Sequence, residues 1–280
     1  MNREKYTLIT GAGTGFGKAL ALECARLGHP LVLVSLPGPE LSCLADFIRK
    51  NHQVPVISVE TDLSEEGNCI ALYNRIRNAG IRINVLINNA GIGGTDRFEK
   101  KAMSFYKKQL QVNVLAPTFL SYLFLDELKS NSPSHILNVS SMAGFFCVPQ
   151  KQVYGGSKSY LLSFSGSLAL ELKKQNISVS VVCPGAMNTT DSLTWQNKKA
   201  SHILKWSVMN PERVASIALK KMFAKRKVII PGFWNNVICL LHRLLPEWFR
   251  VFLMEQQLKR IERKQDPQKQ GLAGTVSIAA

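Results

Sequence analysis

Six short apolar runs, separated by longer helix-like stretches, limit most strongly what this chain can fold into. They are YTLIT (6–10), LVLVSL (31–36), PVISVET (55–61), INVLINN (83–89), HILNVSS (135–141) and SVSVVCP (178–184), with KVIIPG (227–232) as a candidate seventh. The runs are rich in Val, Ile and Leu and do not alternate apolar with polar residues. Strands of that kind need cover on both faces, as in a parallel sheet. The intervening stretches supply the cover. GKALALECARLG (17–28) reads as a helix stopped by Gly28 and Pro30, and SEEGNCIALYNRIRNAG (64–80) and YGGSKSYLLSFSGSLALELKKQ (154–175) read as further helices. There is no internal repeat and no linker before about residue 190. One doubly wound α/β domain over residues 1–232, helices on both faces of a parallel sheet, is the expectation.

The pattern changes late in the chain. Residues 191–210 are polar and irregular, contain Trp195 and Trp206, and form a candidate substrate-covering region together with Met209. PERVASIALKKMF (211–223) begins a helix with Pro at its first position. The segment 233–264 is apolar and basic, and 265–280 reads as a loose tail. Within it, FWNNVICLLHRLLPEWFRVFL (233–253) carries His242, Arg243, Glu247 and Arg250 and is broken by Pro246. No uninterrupted run reaches the ~20 residues a spanning helix needs. Three readings stay open for this segment: core or dimer interface, substrate lid, and peripheral contact with a membrane.

The net charge is +16, and Lys198 to Lys264 holds fifteen Lys and Arg against four Glu. Such a surface attracts anions, from cofactor phosphates to anionic headgroups, but no nucleic-acid recognition motif accompanies it. The six Cys form no C-x-x-C pair and have no His at metal-ligand spacing, and several lie in apolar runs. A reducing compartment and no metal site follow. MNREKYTLIT contains no apolar signal-peptide core, so a cytoplasmic protein is expected.

TGAGTGFGKAL joins the first strand to the first helix. Its spacing is Thr10-Gly11-x-x-x-Gly15-x-Gly17, with Gly13, Thr14 and Phe16 between. Glycines there permit a tight turn and close approach of a pyrophosphate, and the helix N-terminus offers N–H donors. TDLS follows strand three, where Asp62, beside Leu63, would accept from an adenine amine or else belong to a helix start. NNAG ends strand four, and Asn89, Ala90 and Gly91 would let the backbone approach a ribose. At the end of strand two stand Ser35 and Leu36. An acid there would bind the ribose 2′-OH of NAD, and an Arg nearby would accept the 2′-phosphate of NADP. Ser35 can donate to that phosphate, and Lys18 adds positive charge; the first acid, Glu40, lies too far along the chain. NADP(H) is therefore expected ahead of NAD(H).

YGGSK puts Tyr154 and Lys158 one helical turn apart. Ser141 ends strand five, and Asn113 lies in a helix predicted after strand four. Ligands of an open α/β sheet sit at the carboxyl ends of its strands, so these residues converge on one cleft. The set TGAGTGFG, TDLS, NNAG, VNV, NVSSMAG, YGGSK and CPGAMNT, spread from residue 6 to about 190, resembles the short-chain dehydrogenase/reductase family. The resemblance implies a sheet order 3-2-1-4-5-6-7 and a catalytic tetrad of Asn113, Ser141, Tyr154 and Lys158. It also implies that Pro184, Gly185 and Thr189 stand beside the nicotinamide amide, and that Asn113 binds a water linking Lys158 to solvent.

The residue types suit the implied chemistry. A phenol with its ordinary pKa of about 10 exchanges protons poorly at neutral pH, and a nearby ammonium lowers that value. Tyr154 would act as general acid in carbonyl reduction and as base in alcohol oxidation, with Ser141 fixing the substrate oxygen and Lys158 holding the nicotinamide ribose. The aromatic region after residue 190 suits a hydrophobic carbonyl or alcohol substrate, and a homo-oligomer is expected. A cofactor-binding sensor without turnover is the alternative, against which the complete tetrad argues.

Overall fold

The computed structural model describes residues 4–188 and 207–265. Seven strands appear in chain order: β1 (Lys5–Thr10), β2 (Leu31–Ser35), β3 (Val56–Glu60), β4 (Arg82–Asn88), β5 (Ser134–Val139), β6 (Ile177–Val182) and β7 (Val228–Ile229). They form one parallel sheet in the order β3-β2-β1-β4-β5-β6-β7. Both the fold class and the order agree with the sequence reading. The seventh strand is only two residues long, because Pro231 and Gly232 follow it.

Successive strand residues face opposite sides. Ile9, Leu33, Ile87 and Leu137 join one core with helices α1 (Gly15–Arg26), α2 (Pro39–His52) and, near the end of the chain, α8 (Pro211–Phe223). Leu8, Val32, Leu86 and Ile136 join the other. That side is covered by α3 (Glu66–Asn78), α5 (Ala116–Leu123), α6 (Leu125–Ser130) and α7 (Gln152–Glu171), while α4 (Met103–Leu110) leads into α5. Continuous apolar runs are needed because neither face meets water.

The helix predicted to run through Asn113 is not regular. Between α4 and α5 the chain takes one wide π turn, Gln111–Leu115, with Asn113 at its centre. Such single turns recur where a helix must present a residue it would otherwise rotate away. Beyond β7, Pro246 separates α9 (Phe233–Leu244) from α10 (Glu247–Gln265). The chain reverses direction across the sheet between β1 and β4, the place where open α/β sheets leave a crevice.

Candidate active site

The crevice lies at the carboxyl ends of β1 and β4 and has a volume of about 460 Å3. The glycine turn forms its floor. Gly11 and Gly15 have φ of +63° and +54°, a region that disfavours side chains. A Cβ on Gly17 would stand 1.9 Å from the Gly11 carbonyl oxygen, so helix and turn can pack only with glycine there. Thr14 caps α1 without a side-chain hydrogen bond, and the first turn has no acid. The N–H groups of Gly15, Phe16 and Gly17 are therefore directed at the cleft they line, together with the positive end of the helix. These features fit a dinucleotide pyrophosphate.

A clamp that the sequence did not reveal holds this turn. Asn89 Nδ2 donates to the carbonyls of Thr10 (2.9 Å) and Gly11 (3.1 Å). Thr10 Oγ1 accepts from the N–H groups of Asn89 and Ala90, both at 3.0 Å. Asn89 thus lines the cleft while its amide group joins β4 to β1. Gly13 faces Ser35: a Cβ there would sit 2.9 Å from Ser35 Oγ.

At the adenine end the expectations are modified. Asp62 Oδ1 accepts from the Ser64 N–H (3.0 Å), and Oδ2 accepts from Lys108 Nζ (2.9 Å). Those contacts hold its carboxyl below the usual range against the opposing effect of burial. Asp62 and Leu63 do line the cleft, and so does Lys108, which nothing in the sequence connects to position 62. Glu40 is nearer than its sequence position indicated. Helix α2 begins at Pro39 and returns Glu40 to the turn, so that a Cβ on Gly13 would lie 3.8 Å from Glu40 Cβ. Its carboxylate nevertheless stays outside the cleft lining, since a Cβ on Gly38 would stand 2.6 Å from Glu40 Oε2.

At the other end are Ser141, Tyr154 and Lys158. Ser140 Oγ donates to the Lys158 carbonyl (2.7 Å) and Ser159 Oγ to the Gly144 carbonyl (2.7 Å), which fastens the end of β5 to α7. Ser141 Oγ accepts from the Ala143 N–H (3.1 Å) and is hydrogen-bonded to Tyr154. Lys158 Nζ stands 5.7 Å from the centre of the Tyr154 ring and donates to the Val139 carbonyl (2.8 Å).

Burial pushes the Tyr154 phenol above its ordinary value, opposed by the Ser141 hydrogen bond. Burial also brings Lys158 down to about 8, opposed by Cys183. The expected net lowering of the phenol by Lys158 is therefore not what this structure holds, since desolvation acts on both groups and the ammonium is aimed at a carbonyl.

Asn113 stands behind this wall. Its Oδ1 accepts from the Ile92 N–H (2.7 Å), and Nδ2 donates to the Ile92 carbonyl (3.0 Å) and Ser157 Oγ (3.1 Å). The loop it holds passes Lys158, since a Cβ on Gly91 would lie 3.3 Å from Nζ. Gln109 Nε2 adds bonds to the Ile92 and Gly93 carbonyls (3.0 and 3.2 Å), a contribution no motif signalled. Pro184 and Gly185 line the cleft with Met187, and Thr189, Trp195 and Trp206 lie outside the described residues. Among the described residues no group of three or more His, Cys, Asp or Glu side chains is placed to hold a metal ion.

The model of the family described as short chain dehydrogenase matches residues 5–200. The chain belongs to that family. Among curated relatives, the 3-oxoacyl-acyl-carrier-protein reductase of Aquifex aeolicus is 27% identical over 219 residues, 77% of this chain and 88% of that protein. Among solved structures, the bulky-bulky ketone specific alcohol dehydrogenase of Comamonas testosteroni is 26% identical with a TM-score of 0.72, covering 100% of this chain and 98% of that one. A short-chain dehydrogenase of Sphingobium yanoikuyae, in complex with NADPH, is 28% identical with a TM-score of 0.73, covering 87% and 97%. This short-chain dehydrogenase is thus an oxidoreductase by membership, with relatives that are reductases and alcohol dehydrogenases.

Proposed function

We propose that this enzyme interconverts a carbonyl and a secondary alcohol on a hydrophobic substrate, using NADP(H), with Tyr154 as general acid and base. The observation that carries the reading is the layout of one cleft, with the open N-terminus of α1 at one end and Ser141, Tyr154 and Lys158 at the other. When bound, the nicotinamide cofactor supplies or accepts the hydride. Gly11, Gly13, Thr14, Gly15, Phe16 and Gly17 would hold its pyrophosphate, and Ser35 its adenosine ribose. Leu63, Ala90, Gly91, Pro184 and Gly185 would bound its rings.

The chain's own residues do the remaining work. Ser141 hydrogen-bonds the reacting oxygen and sets its approach to Tyr154. Tyr154 delivers its phenolic proton to that oxygen in reduction and takes it back in oxidation. Lys158, with a pKa of about 8, carries its charge at neutral pH beside the Tyr154 ring and would hold the nicotinamide ribose. Asn113 is a positioning residue in this reading, because its side chain is committed to Ile92 and Ser157.

The hydrophobic substrate reading is supported by a groove of about 1090 Å3 that begins in the loop following Ser141 and is bounded by α10. Phe145, Phe146, Val148, Val251, Met254 and Leu258 are among its walls. Self-association is supported by Leu110, Leu115 and Tyr122, exposed along α4, the π turn and α5 near the exposed Tyr160 of α7. The cytoplasm is the compartment we infer, from buried thiols at Cys24, Cys69 and Cys183.

NAD(H) is the second reading, favoured by Glu40 Cβ, which would lie 3.8 Å from a Cβ on Gly13. Titration with NADPH and with NADH, followed by nicotinamide fluorescence, separates the two. Tight binding of NADPH alone supports the first, preference for NADH supports the second, and absence of both overturns the oxidoreductase mechanism drawn here. A screen of apolar ketones then tests the substrate class.

A further inference from the structure

Helix α9 is amphipathic with its polarity reversed. Its one buried side chain is Asn235, whose Nδ2 donates to the Pro231 carbonyl (2.7 Å) and the Ser207 carbonyl (3.3 Å). Its large apolar side chains face outward. Phe233 is 74% exposed and Leu244 71%, and Leu240 and Leu241 are exposed between them. Positions 233, 237, 240, 241 and 244 are spaced i, i+4, i+7, i+8 and i+11, which is a single stripe along the helix. Past the break at Pro246 the exposure continues on α10 with Trp248 (72%) and Phe252. An apolar stripe of this length ordinarily faces a core.

Three occupants can be weighed on what the molecule presents. The substrate groove does not account for the stripe, because α9 and α10 line that groove with His242, Arg250, Val251, Met254 and Leu258 among others, whereas Phe233, Leu240, Leu244 and Trp248 are not in it. A second copy on this face is disfavoured by local charge, since fifteen Lys and Arg against four Glu fall between Lys198 and Lys264. An anionic lipid surface answers both features. It takes apolar side chains among its acyl chains and holds Arg and Lys at its headgroups. Arg243 is exposed on α9 amid the exposed leucines, and Lys259 is exposed on α10. Trp248 has the ring that favours the boundary between the two layers. Among the described residues no helix is long and apolar enough to cross a membrane.

We propose that the outward face of α9 and the start of α10 lies flat in the interfacial layer of an anionic bilayer. This docking is separate from the redox chemistry and adds a surface to the protein's partners. It sets α10, one wall of the apolar groove, against the lipid.

Flotation of the full chain with vesicles tests it. The protein should float with phosphatidylcholine vesicles containing phosphatidylglycerol and float poorly with phosphatidylcholine alone. Leu240→Glu with Leu244→Glu should lower the partition coefficient by at least about tenfold, with nicotinamide binding retained. Arg243→Gln and Lys259→Gln should each lower it by about fivefold at low salt. Tryptophan emission should shift to the blue on addition of the anionic vesicles, a reading that needs no variant. No flotation with either vesicle, an unshifted emission spectrum, or a leucine variant that floats like the parent overturns the proposal. So does a dimer that the leucine variant converts to monomer, which would give the stripe to a second copy.

Discussion

Replacing Lys158 with methionine should stabilise the protein while removing its activity. Lys158 is 4% exposed, and burial brings its ammonium from 10.5 to about 8. That gap of about 2.5 pH units corresponds to about 3 kcal/mol of destabilisation at neutral pH, where the lysine is charged in both folded and unfolded chains. Methionine fills nearly the same volume and has no charge to desolvate. It also leaves the Val139 carbonyl without the 2.8 Å bond from Nζ, which costs about 1 kcal/mol. The net gain is about 2 kcal/mol at pH 7, or a melting temperature higher by roughly 5 °C for a chain of this size.

The pH dependence separates this cause from better packing. Between about 8 and 10.5 the folded lysine sheds its proton while the unfolded one keeps it. The unfolded chain then binds more protons, so the parent protein gains stability as pH rises through that window. The advantage of the variant should therefore shrink by pH 10. Urea unfolding at pH 7 and pH 10 measures both quantities. A variant less stable than the parent at pH 7, or an advantage unchanged at pH 10, would refute the reasoning.

Tyr154→Phe should abolish turnover and leave cofactor affinity within a few-fold, and substantial remaining activity would remove Tyr154 from the mechanism. His135 is held down to about 4 by burial, then by Lys225 and His29. Below its ordinary 6.5 the unfolded chain binds a proton that the folded one does not, so up to about 3 kcal/mol of stability is lost as pH falls toward 4. His135→Leu should flatten that limb of the urea midpoint against pH, and an unaltered slope would assign acid sensitivity elsewhere. Gly17→Ala drives a Cβ into the Gly11 carbonyl and should cost several kcal/mol or prevent folding. Gly166→Ala, in open space on α7, should instead gain about 0.5–1 kcal/mol in thermal unfolding. If Glu40 opposes the 2′-phosphate, Glu40→Gln should tighten NADPH by roughly three- to tenfold at ~1 kcal/mol for a charge contact in a partly wet site, read by fluorescence titration.

The strands were legible because a buried parallel sheet has a local signature. Each of the first six predicted runs agrees with its observed strand to within about two residues, the seventh overshoots its two-residue strand by three, and the crossing at β1 follows from the matched family order. The cleft was legible where motifs name it, from Gly11 to Gly17 and at Ser141, Tyr154 and Lys158. What was not legible depends on contacts between distant positions. Asp62 meets Lys108 across 46 residues, and Asn113 meets Ser157 across 44. Glu40 comes nearer the glycine turn than chain distance suggests because a helix folds back there, yet its carboxylate stays beside Gly38. The π turn escaped notice since QVNVLAP reads as ordinary helix, and three readings of 233–253 stayed open because periodicity gives a stripe without saying which way it points.

The clamp made by Asn89 has a bearing on how the molecule is assembled. It ties the glycine turn to a residue 78 positions later in the chain. Local contacts form early in folding, and those between distant residues wait for loop closure. During synthesis, an N-terminal piece ending before Arg82 holds every glycine of the turn and yet lacks the strand that fixes it. Ligand stabilises only a state that can bind it. Nicotinamide nucleotide would then favour chains whose central strands have already met, and give incomplete ones no protection from proteolysis or aggregation.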